Sequence, residues 1–144
     1  MDVDNAPDRL RTLPSWLLGQ LSNEARRVVG EVLAEQQLHR GQYALLASLD
    51  QFGPLSQTDL SERSGLDRSD IVRWVDDLAA RELIARTRDP NDRRRNVVSI
   101  TGKGRRLLSR LDARLRDAQD HLLRALSAKE RGQLVQLLAR ALTL

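Results

Sequence analysis

The side chains best able to do chemistry in this 144-residue sequence are guanidinium groups, and they are clustered. The stretch DPNDRRRNVVSITGKG, residues 89–104, sets Arg93, Arg94 and Arg95 side by side behind Asp92. Residues 86–106 hold eight bases (Arg86, Arg88, Arg93, Arg94, Arg95, Lys103, Arg105, Arg106) against two acids (Asp89, Asp92). That net +6 exceeds the +4 of the whole chain, so the remainder is net acidic. Lys103 and Lys129 are the only lysines among 24 bases. A guanidinium forks onto paired oxygens such as those of phosphates. A positive charge concentrated on one short segment is the footprint expected for a polyanionic partner.

Other chemistries find little support. There is no cysteine, which removes thiolate metal sites, thiol nucleophiles and disulfides. His39 and His121 are the only histidines and stand in no ligand-spaced motif, so no metal site is expected. There is no G-x-S-x-G, no P-loop and no glycine-rich dinucleotide turn. No catalytic residue and no cofactor are therefore expected. No apolar run approaches membrane-spanning length, and the first residues are acidic and polar, unlike a secretory leader. The expected location is the cytoplasm, with no membrane partner.

The elements that must position the arginines follow from periodicity. The composition, 40% hydrophobic and 31% charged with 3% aromatic, requires a core of Leu, Val and Ala. Residues 1–12 read as a flexible polar arm. A helix then runs to about Gln37, with Leu17, Leu21, Val28, Val32 and Leu33 on one stripe. A short helix follows until Gly53-Pro54. Ser56 caps a third helix, QTDLSERS, that Gly65 ends, and Asp67 caps a fourth reaching Arg81. LIARTRD and NVVSIT are β-like runs around a turn and predict a hairpin. From Gly104 to about Leu126 the leucines Leu108, Leu111, Leu115 and Leu122, with Ala118, keep a heptad-like spacing that predicts a partner-facing seam. SAKE, residues 127–130, has the form of a capping box before a last helix through Leu142.

The fold expected is mainly α with a small β-hairpin: a helix-turn-helix with a wing, flanked by N- and C-terminal helices. Residues 39–103 would form the compact unit, and 13–38 with 104–144 the helical dimerisation region. In the helix pair, Leu60, Ile71 and Val75 are placed to pack, and Trp74 is expected in the core. Arg68, Ser69, Asp70, Val72 and Arg73 lie near the start of the second helix, largely off its apolar face. A recognition helix presents such residues to the major groove of DNA. Ser56, Gln57 and Ser64, around the first helix of the pair, are the expected phosphate contacts. The wing arginines are poorly placed for core packing or intrachain ion pairing and well placed for a groove. One wing arginine is expected in the minor groove, with Asp92 close enough to orient a guanidinium and the other two of Arg93, Arg94 and Arg95 on flanking phosphates. A helical protein-interaction module is the rival reading, and it leaves the wing unexplained.

The stretch LSERSGLDRSDIVRWVDDLAARELIARTRDPNDRRRNVVSITGKG resembles the MarR (multiple-antibiotic-resistance regulator) family of winged-helix transcription factors. The likeness rests on the D-x-R-R wing, Asp92 to Arg95, and the T-x-x-G that follows, Thr101 to Gly104. With the helical order outside it, the likeness spans roughly residues 10–142. It implies a triangular homodimer on a pseudo-palindromic double-stranded DNA operator, most commonly a repressor. It also implies insertion of Arg94, an acidic partner in Asp92, and Arg68 and Ser69 opening the recognition helix. A small aromatic or phenolic effector is a further implied partner, with Trp16, Arg26, His39 and Tyr43 as candidate cleft residues. The sequence departs from the family at Asp70 and Val72, where small or hydroxylic residues are usual, and at Trp74, where an aliphatic is commoner.

Overall fold

The computed structural model describes residues 3–143. Met1 and Asp2 of the expected arm, and Leu144 at the other end, lie outside the described residues. The expected arm carries a 3-10 turn, Val3–Asn5, and a one-turn helix α1, Asp8–Arg11. Helix α2 follows over Pro14–Glu35, α3 over Arg40–Phe52, α4 over Gln57–Ser64 and α5 over Arg68–Ala80. Strands β1, Ile84–Arg88, and β2, Asn96–Ile100, lead to α6, Gly102–Leu122, and α7, Ala128–Leu142. None of these helices is long and apolar enough to cross a membrane.

Contacts divide the chain into two compact units, one of Met1–Val28 with Leu115–Leu144 and one of Val29–Arg114. In the first unit, Arg131 joins the two last helices. Its Nε donates to the carbonyls of Leu123 and Leu126, both at 3.1 Å, and its Nη1 to Asp120 at 2.7 Å. The Ser127–Glu130 capping box is formed and starts α7. Leu18, Leu21, Leu122, Leu134 and Leu138 line an apolar groove of about 290 Å³. Leu13, Leu17, Leu18, Val135, Leu137 and Leu142 are exposed.

The second unit holds the core. Leu45, Leu46 and Leu49 of α3, Leu60 of α4, and Ile71, Val75 and Leu78 of α5 are essentially inaccessible. Each such burial contributes about 1.5–3 kcal/mol. Leu108 and Leu111 are buried here too, at 5% and 1% exposure. The expected partner-facing seam is corrected at these two positions: their own chain already covers them. The helix-turn-helix is built by local hydrogen bonds. Ser56 and Asp59 form a capping box on α4, and Gly65 ends it at φ 67°, in the left-handed region glycine tolerates. Ser61 Oγ donates to the Leu66 carbonyl at 2.9 Å. Asp67 then caps α5 through the backbone N–H of Ser69.

The hairpin pairs antiparallel from Ile84 opposite Ile100 to Arg88 opposite Asn96. Leu55 adds an isolated bridge to Val98, the two residues exchanging hydrogen bonds of 3.0 and 2.7 Å. The wing is thus sewn to the segment that opens α4.

Gly104 marks the closest approach in this unit. A Cβ there would collide with the backbone carbonyl of Leu83 and with the Ile100 side chain, whereas one at Gly102 would meet only the flexible end of Arg106. Gly104→Ala should therefore cost about 1–3 kcal/mol. Gly102→Ala should stay within about 0.5 kcal/mol of neutral. Thermal melts of the two variants read this directly, and equal melting temperatures would contradict the close packing.

Candidate nucleic-acid interface

The recognition-helix candidates lie together at the start of α5. Ile71, Trp74, Val75 and Leu78 face inward, as their spacing requires. Arg68, Ser69, Val72 and Arg73 are exposed and Asp70 is half-buried. Val72, at 47%, is a large exposed apolar side chain. Arg68 Nη2 reaches Thr58 Oγ1 at 3.3 Å, which joins the starts of α4 and α5. Asp70 accepts from Arg73 at 2.9 Å, so the carboxylate that departs from the family pattern has its charge offset within the helix. The hydroxyl of Ser69 is turned back onto Asp67, and that bond is the largest of those holding the Asp67 carboxyl below its usual range.

The wing divides its arginines. Arg95 Nη2 donates to Ser56 Oγ and to Asp59 Oδ2, both at 2.6 Å. Arg95, expected on a flanking phosphate, is held on the α4 cap by this fork in the DNA-free chain. Arg86 pairs with Asp76 of α5. The wing is therefore tied to both helices of the pair, and intrachain ion pairing, discounted from the sequence, organises it. Arg93 and Arg94 are exposed at the tip, and their guanidinium groups make no hydrogen bond or ion pair with the described residues. Asp92 was expected to orient a guanidinium; instead its Oδ1 accepts from the backbone N–H of Arg94 at 3.0 Å. The tip is further closed by Asp89 N–H to the Arg95 carbonyl at 2.7 Å and Arg95 N–H to the Asp92 carbonyl at 3.0 Å. Asp92 thus fixes the backbone from which Arg94 projects.

Two of the three expected phosphate contacts have other partners. Ser56 is 6% exposed, caps α4 and accepts from Arg95. Its hydrogen bonds are the chief cause that keeps the Asp59 carboxyl below its ordinary range, with Arg95 adding to it. Ser64 donates to the Leu60 carbonyl and accepts from the Leu66 N–H, closing the end of α4. Gln57, with Ser56, Thr58, Arg86, Arg94 and Arg95, lines a cleft of about 540 Å³ between wing and α4. Asp59 and Thr58 were missing from the expected site, and Arg86 was counted only for its charge. The Ser56-x-x-Asp59 spacing was the available signal for Asp59.

The four candidate cleft residues fall in both units. Trp16 and Arg26 belong to the first unit, His39 and Tyr43 to the second. His39 caps α3, its Nδ1 accepting from Gly41 N–H at 3.0 Å, and its ring stacks on Trp74 at 4.9 Å. That role leaves its Nδ1 unavailable to a ligand. Tyr43 Oη donates to Asp112 Oδ1 at 2.8 Å. No group of three or more metal-ligating side chains is present among the described residues.

The arrangement matches known proteins closely. The MarR family model matches residues 38–95, from the end of α2 to the wing tip. An uncharacterized helix-turn-helix-type transcriptional regulator, YxaD of Bacillus subtilis, is 36% identical over 103 residues, covering 72% of each chain. The chain belongs to the MarR family. It is a transcriptional regulator of winged-helix fold, and not an enzyme. Among solved structures, the transcriptional repressor CouR bound to a 23-mer DNA duplex is 29% identical with a TM-score of 0.83, covering 93% of this chain and 95% of that one. The PcaV regulator of Streptomyces coelicolor, in complex with its natural ligand, is 32% identical with a TM-score of 0.76, covering 94% and 96%.

Tyr43 offers a spectroscopic check, because it is the only tyrosine. Burial, and then its bond to Asp112, push its pKa up from 10.0 to about 12. Folding favours the neutral phenol, so this stabilisation is complete below pH 10 and is lost as pH rises through about 12. Tyrosinate absorbance of the folded protein should rise with a midpoint near 12. A midpoint near 10 in protein that is still folded would mean the hydroxyl is free.

Proposed function

We propose that this MarR-family regulator acts in the cytoplasm as a homodimeric repressor, binding a pseudo-palindromic duplex and released by a small aromatic or phenolic effector. The observation that carries the reading is the pair of guanidinium groups without a partner among the described residues, Arg93 and Arg94, at the tip of a wing anchored on both helices of the pair. An anchored wing can hold a cation at a fixed offset from the recognition helix. Arg68, Val72 and Arg73 then meet base edges in the major groove, and Arg94 enters the adjacent minor groove, where negative potential attracts it. Arg93, its neighbour in the turn at the tip, meets the flanking phosphate backbone.

The dimer is supported by the exposed leucines of the first unit, Leu13, Leu17, Leu18, Leu137 and Leu142, a surface that water does not favour. A two-fold dimer presents two recognition helices about one turn of DNA apart, which is why the site should be a pseudo-palindrome. The likeness to CouR on DNA supports repression, and the likeness to liganded PcaV supports an effector.

Selection of bound duplexes from a random pool tests the reading and should return a two-fold repeated half-site. On that duplex Arg94→Ala should lose more affinity than Arg93→Ala. Its loss should shrink when the outer A·T pairs are changed to G·C, because the wider groove draws the guanidinium less. Arg93→Ala should lower the salt dependence by about one counterion whatever the flanking sequence. Equal losses, indifferent to the flanks, would reduce the wing to a positive patch.

A further inference from the structure

The T-x-x-G segment, Thr101 to Gly104, serves a junction and not the wing. Thr101 N–H donates to the Leu83 carbonyl at 3.1 Å, and its Oγ1 donates to the Glu82 carbonyl at 2.7 Å. The same Oγ1 accepts from Gly104 N–H at 3.1 Å, and Gly104 lets the Leu83 carbonyl come close. Helix α6 therefore starts on the turn that ends α5.

That turn is gripped from another side as well. Arg81, the C-cap residue of α5, sends its guanidinium across to the end of α2. Its Nη2 donates to the Gln36 carbonyl at 2.9 Å and its Nη1 to the Gln37 carbonyl at 3.0 Å. The carbonyls just past a helix end lack intrahelical partners and carry the negative end of its dipole, which a two-pronged cation satisfies. The Arg81 carbonyl in turn accepts from Lys103 Nζ of α6 at 3.0 Å. One residue thus joins the ends of three helices.

We propose that Arg81 is a positioning residue for DNA, registering the recognition helix against α2 and α6. The proposal rests on the DNA-binding reading. Arg81 lies beyond the last residue of the 13-residue α5, about 20 Å from the helix start that carries Arg68. It acts through the helix, without touching the duplex. Trp74 reports on the same registration from the middle of α5. Its ring stacks on His39, two residues after Gln37, at an interplanar angle of 21°, and Gly41 leaves no room for a Cβ against it.

The test uses the full chain and the duplex returned by random-pool selection. Arg81→Lys keeps the charge and loses the fork. Affinity for the selected duplex should fall about tenfold, while affinity for a scrambled duplex and the salt dependence stay as they were. In a Trp16→Phe background Trp74 is the sole tryptophan, and its emission without DNA should shift when Arg81→Lys is added. Should Arg81→Lys fold poorly, Lys103→Gln, which removes the bond to the Arg81 carbonyl together with one positive charge, must lose more affinity for the selected duplex than for the scrambled one. Equal losses on both duplexes, a salt dependence shallower by about one counterion, or no loss at all would overturn the proposal. Failure of the unmodified protein to select any duplex would instead bring down the DNA-binding reading, and the proposal with it.

Discussion

The fork of Arg95 onto the α4 cap is the contact on which the DNA-facing surface depends. A two-stranded hairpin is marginal by itself and needs packing to hold a direction. Here Leu55 bonds to Val98 at its base, Arg86 reaches Asp76, and Arg95 closes on Ser56 and Asp59. The last of these lies nearest the tip, where direction matters most. It also draws on an acceptor that the cap has already prepared: the hydrogen bonds of Ser56 hold the Asp59 carboxyl below its ordinary range, favouring the carboxylate that the guanidinium meets.

This changes how the charge of the wing is understood. A net +6 over residues 86–106 is not a uniform patch. Arg86 and Arg95 are neutralised within the chain and set geometry, while Arg93 and Arg94 have no ion-pair partner among the described residues and carry the field outward. Exposed ion pairs contribute little to stability, typically below about 1 kcal/mol. Their value here lies in directing a loop whose own backbone bonds, Asp92 to Arg94 and Asp89 to Arg95, fix only its local shape.

Much of this was legible in the sequence, and the limits have physical causes. Capping residues and glycines announced the helix-turn-helix: Ser56, Gly65 and Asp67 stand where the structure needs them, and α4 spans the same eight residues as expected. Alternation and turn formers announced the hairpin. The pairings across the fold were not legible. Arg95 and Asp59 are 36 positions apart, and Arg81 bonds to backbone carbonyls, which leave no mark in a sequence. Leu108 and Leu111 kept a seam-like spacing, yet periodicity cannot say whether the cover comes from a partner or from the same chain. The partners of His39 and Tyr43, Gly41 N–H and Asp112, could likewise not be assigned without the fold.

A double-mutant cycle on Arg95 and Asp59, read as affinity for the selected duplex, tests the account most directly. If Arg95 serves DNA binding only through its seat on the α4 cap, Arg95→Ala and Asp59→Ala should be strongly non-additive. The double variant should then lose little more than the worse single one, a coupling of about 1 kcal/mol or more. Additive losses, with Arg95→Ala also flattening the salt dependence by about one counterion, would mean that Arg95 leaves Asp59 for a phosphate and that the wing is not held as described.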